Sequence, residues 1–299
     1  MNKQKFKKNI PMHLMLVPGV VISLLFIYLP LAGSIMAFQD YSPIKGFFDS
    51  EWVGFKNFEF IANLPGSFQV LWNTIYIAFF KIVGNIIVPV TFALLLNEVR
   101  SNKAKRTLQT FIYMPNFLSW IILSGIIMDL FSPSGGLVND FLGVFGIEPI
   151  FFLGDPFWFP VTMILTDIWK GFGFGTVIYL AALTSISPSL YEAAMIDGAG
   201  RWKQTWHITL PGMTPIIILM TVLGLGNVLN AGFDQIFNLL SPSVYDTGDI
   251  IDTFIYRLGM IQTQYSASAA VGLFKSVVSF IFVSLSYLLA DKLANYRIF

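Results

Sequence analysis

The chain has 299 residues, 55% of them hydrophobic and only 12% charged, with a formal net charge of +1. A water-soluble domain carries roughly 25% charged residues, so this chain lacks the polar surface to face water on every side. Cysteine is absent and the two histidines, His13 and His207, are far apart, which excludes a disulfide framework, a thiolate metal site and a histidine-paired zinc site.

A helix needs about 20 mainly apolar residues to cross a bilayer. The first such run is predicted at about 13–36. Lys3, Lys5, Lys7 and Lys8 precede it, as in a signal peptide. The run is long for a cleaved segment, however, and Asp40 and Tyr41 offer no small-residue cleavage site, so a retained span is expected. Further spans are predicted at about 71–96 (interrupted by Lys81), 107–131, 158–184 (with Asp167 and Lys170), 213–235 and 268–290 (with Lys275). The expected fold is therefore all-α: one polytopic membrane domain over 1–299 with six transmembrane helices.

Cytoplasmic loops are enriched in lysine and arginine. With the amino terminus inside, twelve basic residues fall in inner segments and three (Lys45, Lys56, Arg257) in outer ones. Both termini are expected in the cytoplasm. The outer segments are then about 37–70, 132–157 and 236–267. The first contains Pro43, Gly46, Gly54, Pro65 and Gly66, and should be turn-rich and partly helical. The inner segments are about 97–106 and 185–212.

Segment 185–212 carries the most information. Ser189 and Glu192 have capping-box spacing, and Pro188 favours a helix start. Leu190, Ala193, Ala194 and Asp197 share a face, and Gly198 can end the helix with a positive φ. A second short helix is predicted from about Arg201 to Thr209, stopped by Pro211. This is either an exposed docking element or an amphipathic helix resting on the membrane surface.

Charges inside a bilayer are costly and should face protein or a wet cavity. Asp167 and Lys170, at i and i+3, can pair with each other, line a substrate path or snorkel; Lys81 and Lys275, nearer the outer side, are open to snorkelling. On a continuous helix Asn227, Asn230 and Asp234 share a face, suited either to sugar hydroxyls or to interhelical hydrogen bonds. Trp169, Phe172 and Phe233 can offer flat apolar faces to sugar rings beside them. Three lysines against one aspartate within the spans favour an anionic, uronate-containing substrate, with a neutral oligosaccharide as the competing choice.

Glu192-Ala193-Ala194, Asp197-Gly198-Ala199, Ile208 and Leu210-Pro211 resemble the EAA loop of binding-protein-dependent ABC importer permeases. Thr205 departs from the aromatic residue many members carry, though Trp206 follows it. The stretches HLMLVPGVV, AFQDYSPIKGFF, SEWVGFKNF, AGFDQIFNL and VYDTGDIIDTFIYRLG resemble the branch that imports oligosaccharides and polysaccharide fragments, the lipoprotein-dependent sugar permeases of Firmicutes. The resemblance implies a type I ABC importer permease fold in a bacterial plasma membrane, forming half of a translocation pore. It implies a second homologous permease subunit, two cytoplasmic ATPase subunits that bind ATP and Mg, and an extracellular solute-binding lipoprotein. In that family the EAA loop docks into a groove on the ATPase.

No cofactor, nucleotide or nucleic acid is expected on this chain itself. It has no G-x-x-x-x-G-K-[ST] phosphate loop, and the glycines of GFGFGT at 171–176 read as close helix packing. An enzyme is not expected, because no Ser/His/Asp set, H-E-x-x-H or intramembrane aspartate pair occurs. The alternatives are import of another solute, such as a neutral sugar or peptide, or an ion-coupled carrier. A carrier needs paired carboxylates or broken helices near the midplane, and Asp167 is the one acidic residue well inside a predicted span.

Overall fold

The computed structural model describes residues 3–294, with side-chain surroundings for 12–288. Arg297, counted above among the inner basic residues, lies outside them. The chain divides into two units, residues 1–64 with 255–274 and residues 65–254 with 275–299.

In the first unit, helix α1 (Lys3–Ser23) runs into a π turn, Leu24–Tyr28, where the Leu29 amide donates to Leu24 O. Pro30 follows directly. Proline has no N–H to donate and its ring crowds the carbonyl four residues back, and the wide turn takes up that defect without a break. The helical path continues to Phe38, so the expected first span lies within Met12–Phe38. The next segment holds a pair of two-residue antiparallel strands absent from the sequence reading. They are β1 (Gln39–Asp40) and β2 (Glu51–Trp52), paired Gln39 to Trp52 and Asp40 to Glu51. Phe38 stacks on Trp52 at 5.6 Å. Asn57, on α2 (Lys56–Asn63), donates to Ala37 O and Gln39 O, each at 2.9 Å.

In the second unit, α3 (Ser67–Glu98) packs along α6 (Trp158–Thr184), the most extensive helix pairing in the molecule. The expected span at 107–131 is broken. Helix α4 (Asn102–Tyr113) ends in a 3-10 turn, Met114–Phe117, and α5 (Trp120–Leu130) starts afresh, the two parts bent by 101°. Pro115 cannot continue the helix ladder, and Ser119 caps the new start by accepting from the Ile122 amide at 3.3 Å. Short helix α7 (Pro188–Ile196) leads to α8 (Arg201–Gly226) and α9 (Phe233–Leu239), and α10 (Tyr265–Ala294) belongs to this unit from Lys275 onward. Among the described residues five helices are long and apolar enough to cross a membrane, and a sixth crossing results if the bent pair counts as one.

Close approach of α6 to its neighbours rests on the GFGFGT glycines. A Cβ at Gly173 would collide with the backbone carbonyl of Ile112, and one at Gly175 would sit 3.1 Å from Pro89. Two buried clusters flank this seam: Ile77, Leu123, Phe159, Met163, Ile236 and Ile250 on one side of the polar residues described below, and Ala93, Tyr179, Leu183 and Met213 on the other.

Two sequence expectations fail on α8. Pro211 does not stop the helix, because a π turn over Thr205–Thr209 precedes it, as one precedes Pro30, and the path runs unbroken from Arg201 to Gly226. The predicted span at 213–235 is not one helix: α8 ends at Gly226, residues 227–232 are non-helical, and Gly232 takes φ +95° before α9 begins.

Candidate functional site

The segment at 185–212 is a helix–turn–helix with its own fastening. Helix α7 ends in a Schellman turn: the Ala199 amide donates to Ala194 O at 2.8 Å, and the Gly198 amide to Met195 O at 3.1 Å. That turn needs a left-handed residue, and Gly198 has φ +74°. At the other end the expected capping box does not form. Ser187 is the N-cap and Pro188 the first helical residue, which puts Ser189 two positions past the cap; its hydroxyl lies 2.8 Å from that of Ser187. Gln204 Nε2 donates to Ala199 O at 2.8 Å, and the Tyr191 and Thr209 hydroxyls meet at 3.0 Å, tying α7 to the start of α8. Glu98 at the end of α3 pairs with Arg201.

Of the expected coupling residues, Glu192, Ala193, Asp197, Gly198 and Pro211 are exposed, while Ala194, Ala199, Ile208 and Leu210 are half-buried. Around them stand apolar side chains open on the surface, with Ile196 at 86% and Trp202 at 80% exposure. A cleft of about 590 Å³ opens beside the segment, lined by Thr91, Leu95, Glu98, Tyr191, Trp202 and Trp206 among others.

The second constellation lies where α8 unwinds. Lys81, 5% exposed, donates to Ala231 O at 2.7 Å and to Gln235 Oε1 at 2.5 Å, and lies 3.4 Å from Asp167 Oδ1. Asn85, one turn further along α3, donates to Asp167 Oδ2 at 3.0 Å. Gln235 Nε2 donates to Met163 O at 2.9 Å and Thr166 Oγ1 at 2.7 Å. The Ala231 carbonyl, freed by the unwinding, thus finds a charged donor, as a backbone group inside a membrane must. Gly232 is fitted to this close approach: a Cβ there would sit 3.0 Å from Lys81 Nζ. A cavity of about 360 Å³ opens beside the network, lined by Lys81, Asn85, Asp167, Asn227 and Asn230 together with apolar residues of α3 and α8.

These contacts decide three of the open alternatives. Asp167 does not pair with Lys170, because its carboxylate is turned to α3, where Lys81 and Asn85 reach it. Lys81 does not snorkel; it is buried among its three partners. Lys275 is likewise engaged, donating to Asp252 Oδ1 at 2.5 Å and Asn230 Oδ1 at 2.8 Å. Lys170 instead donates to Asn116 O at 3.1 Å, with its ammonium 5.4 Å from the centre of the Trp120 ring.

The break at 227–232 also divides the predicted polar face. Asn227 and Asn230 stay together, bonded at 3.2 Å, and line the cavity. Asp234 is exposed on α9, and its backbone carbonyl accepts from Asn238. The aromatic candidates separate as well. Phe172 is core, 4.6 Å from Phe92; Phe233 stacks on Phe237 at 5.0 Å; Trp169 is 48% exposed. The sequence reading missed Asn85, Gln235 and Asp252 as partners. Asn85 was within reach, since it stands four residues after Lys81 and shares its face. The other two lie across non-helical turns that hydropathy does not register.

Broken apolar helices around a polar cavity, with an exposed helix–turn–helix at one end, define a multi-pass membrane transport component. The chain belongs to the family described as binding-protein-dependent transport system inner membrane component, whose model matches residues 85–295, and it is a permease subunit of an ABC importer. It is 42% identical over 288 residues to the polygalacturonan/rhamnogalacturonan transport system permease protein YteP of Bacillus subtilis, covering 96% of this chain and 90% of that one. Protein LplB of the same organism is also 42% identical, over 286 residues, with the same coverage. A solved chain of a bacterial ABC transporter involved in the import of the acidic polysaccharide alginate superposes with a TM-score of 0.89 at 35% identity, covering 97% of this chain and 98% of that one.

Proposed function

We propose that this chain carries oligosaccharides, fragments of acidic polysaccharides in particular, across the plasma membrane as one half of an importer pore. The observation that carries the reading is the cavity at the unwound end of α8, where Lys81, Asn85, Asp167, Asn227 and Asn230 gather polar groups in a wall completed by apolar residues. Its volume of about 360 Å³ falls in the range of small-molecule sites. The relatives support the substrate class, since one is named for polygalacturonan and rhamnogalacturonan and another imports alginate. Asp167 is held by Lys81, which weighs against a proton- or ion-coupled carrier built on that carboxylate.

In this reading residues 1–299 act as a single permease domain of six spans, the bent pair counting as one, with both termini in the cytoplasm. A second homologous permease closes the path. Two ATPase subunits hold ATP and Mg, and the 185–212 segment docks on one of them through Glu192 to Ala199 and the apolar side chains beside them. An extracellular solute-binding lipoprotein delivers the sugar; the alginate transporter solved with its sugar-bound periplasmic protein, 34% identical, supports that partner. The test is uptake by the complete importer in proteoliposomes. Oligogalacturonate uptake should require ATP and the binding protein, and Asn227→Ala with Asn230→Ala should lower it severalfold. Uptake untouched by the double substitution rejects the cavity as the sugar path.

A further inference from the structure

We propose that Lys170, on the side of α6 turned to the α4–α5 bend, reads negative charge on the passing sugar, its ammonium, held over the Trp120 ring, pairing with a carboxylate of an acidic oligosaccharide. The inference rests on the sugar-import reading above. Lys81 and Lys275 each have an aspartate, Asp167 at 3.4 Å and Asp252 at 2.5 Å. Among the described residues Lys170 has no carboxylate within ion-pair distance. Its one hydrogen bond goes to the Asn116 carbonyl, and an ammonium has three protons to donate.

Depth sharpens the point. At 1.5 Å per residue Lys170 lies about 18 Å from the start of α6 and about 21 Å from its end. A hydrocarbon core is about 30 Å thick, so the residue sits near mid-depth, where snorkelling to a headgroup, a device of helix ends, does not serve it. A half-buried ammonium at that depth needs an anion or water. The Trp120 ring, over which the ammonium lies 5.4 Å from the centre, positions the charge without cancelling it, and a uronate carboxylate supplies the missing anion.

The experiment uses the complete importer in proteoliposomes and two sugars of equal length, trigalacturonate and its methyl ester, which differ in charge. Lys170→Gln retains a donor for the Asn116 carbonyl and loses the charge; Lys170→Arg keeps the charge. The expected result is a fall of about tenfold or more in kcat/KM for trigalacturonate in Lys170→Gln, a change within about twofold for the ester, and preference for the acid retained in Lys170→Arg. Equal losses on both sugars would make Lys170 a support of the α4–α5 bend and overturn the inference. Unchanged trigalacturonate uptake also overturns it, as does loss of the second permease from purified Lys170→Gln complexes, which would place the matching carboxylate on that subunit. A wild-type importer that takes up the ester but not the acid defeats the charge assignment alone. One that takes up neither sugar defeats the sugar-import reading, and this inference with it.

Discussion

At the scale of single residues, Lys81 sets the strictest demand. A buried ammonium without its partner, or the reverse, leaves an uncompensated charge, and breaking such a pair costs about 3–5 kcal/mol. Lys81→Met should destabilise the detergent-solubilised complex by about 3 kcal/mol, the lower end, because Asp167 is partly exposed and keeps Asn85. Adding Asp167→Leu should restore part of the lost thermal stability, the non-additive result expected of groups in contact. A loss in the double variant equal to the sum of the two single losses would show that the two residues act independently. Gly173 is the other strict position. Gly173→Ala puts a methyl into the Ile112 carbonyl, backbone that cannot rotate away. Folded yield should fall sharply, whereas Gly125→Ala, with open space around it, should express normally. The charges were legible in the sequence as a cost to be met. Their partners were not, because Asp167 faces Lys170 in helical spacing and meets Lys81 only through the packing of α3 on α6.

Among the elements, α7 and the start of α8 behave as one rigid hook. Gly198→Val forces a branched side chain into a left-handed conformation and should displace Arg201–Gln204 from α7. Glu192→Ala removes an exposed carboxylate without touching the fold. Both should leave sugar capture by the binding protein intact and lower sugar-stimulated ATP hydrolysis and uptake together. Full stimulation in both variants would remove 185–212 as the coupling element.

The π turn before Pro211 makes a separate prediction. Pro211→Ala lets Thr205–Thr209 rewind to an α-helix, and taking one residue out of the wide turn rotates the upstream segment by about 100°. Since the chain has no cysteine, Glu98→Cys with Arg201→Cys gives a clean cross-linking pair. Cross-linking should be efficient with Pro211 and poor with alanine. Helix existence here was legible from Pro188 and Gly198. The continuation through Pro211 was not, because an α-helical ladder was assumed where an i→i+5 turn exists.

For the whole molecule, the decisive property is surface that the chain does not cover. None of the apolar window of Met12–Phe38 is buried within the chain, and only 11% of that of Tyr265–Leu288 is. Lipid can take apolar surface, but the exposed amides of Asn227 and Asn230 need polar surroundings. Purified alone, the chain should aggregate or lose its cooperative melting transition, and coexpression with a partner permease should restore both. A stable, transport-competent lone subunit would refute a heteromeric pore.

The sequence by itself determined the class. Hydropathy and length are properties of consecutive residues, so the apolar runs, the helical character and the turn at Gly198 could be read directly. Tertiary structure alone decided where helices break and which charges cancel. The unwinding at 227–232 and the bend at 114–119 require outside donors for freed carbonyls, and Lys81 and Lys170 come from helices distant in sequence. Charge neutralisation inside a membrane depends on distance in space, which no count along the chain contains.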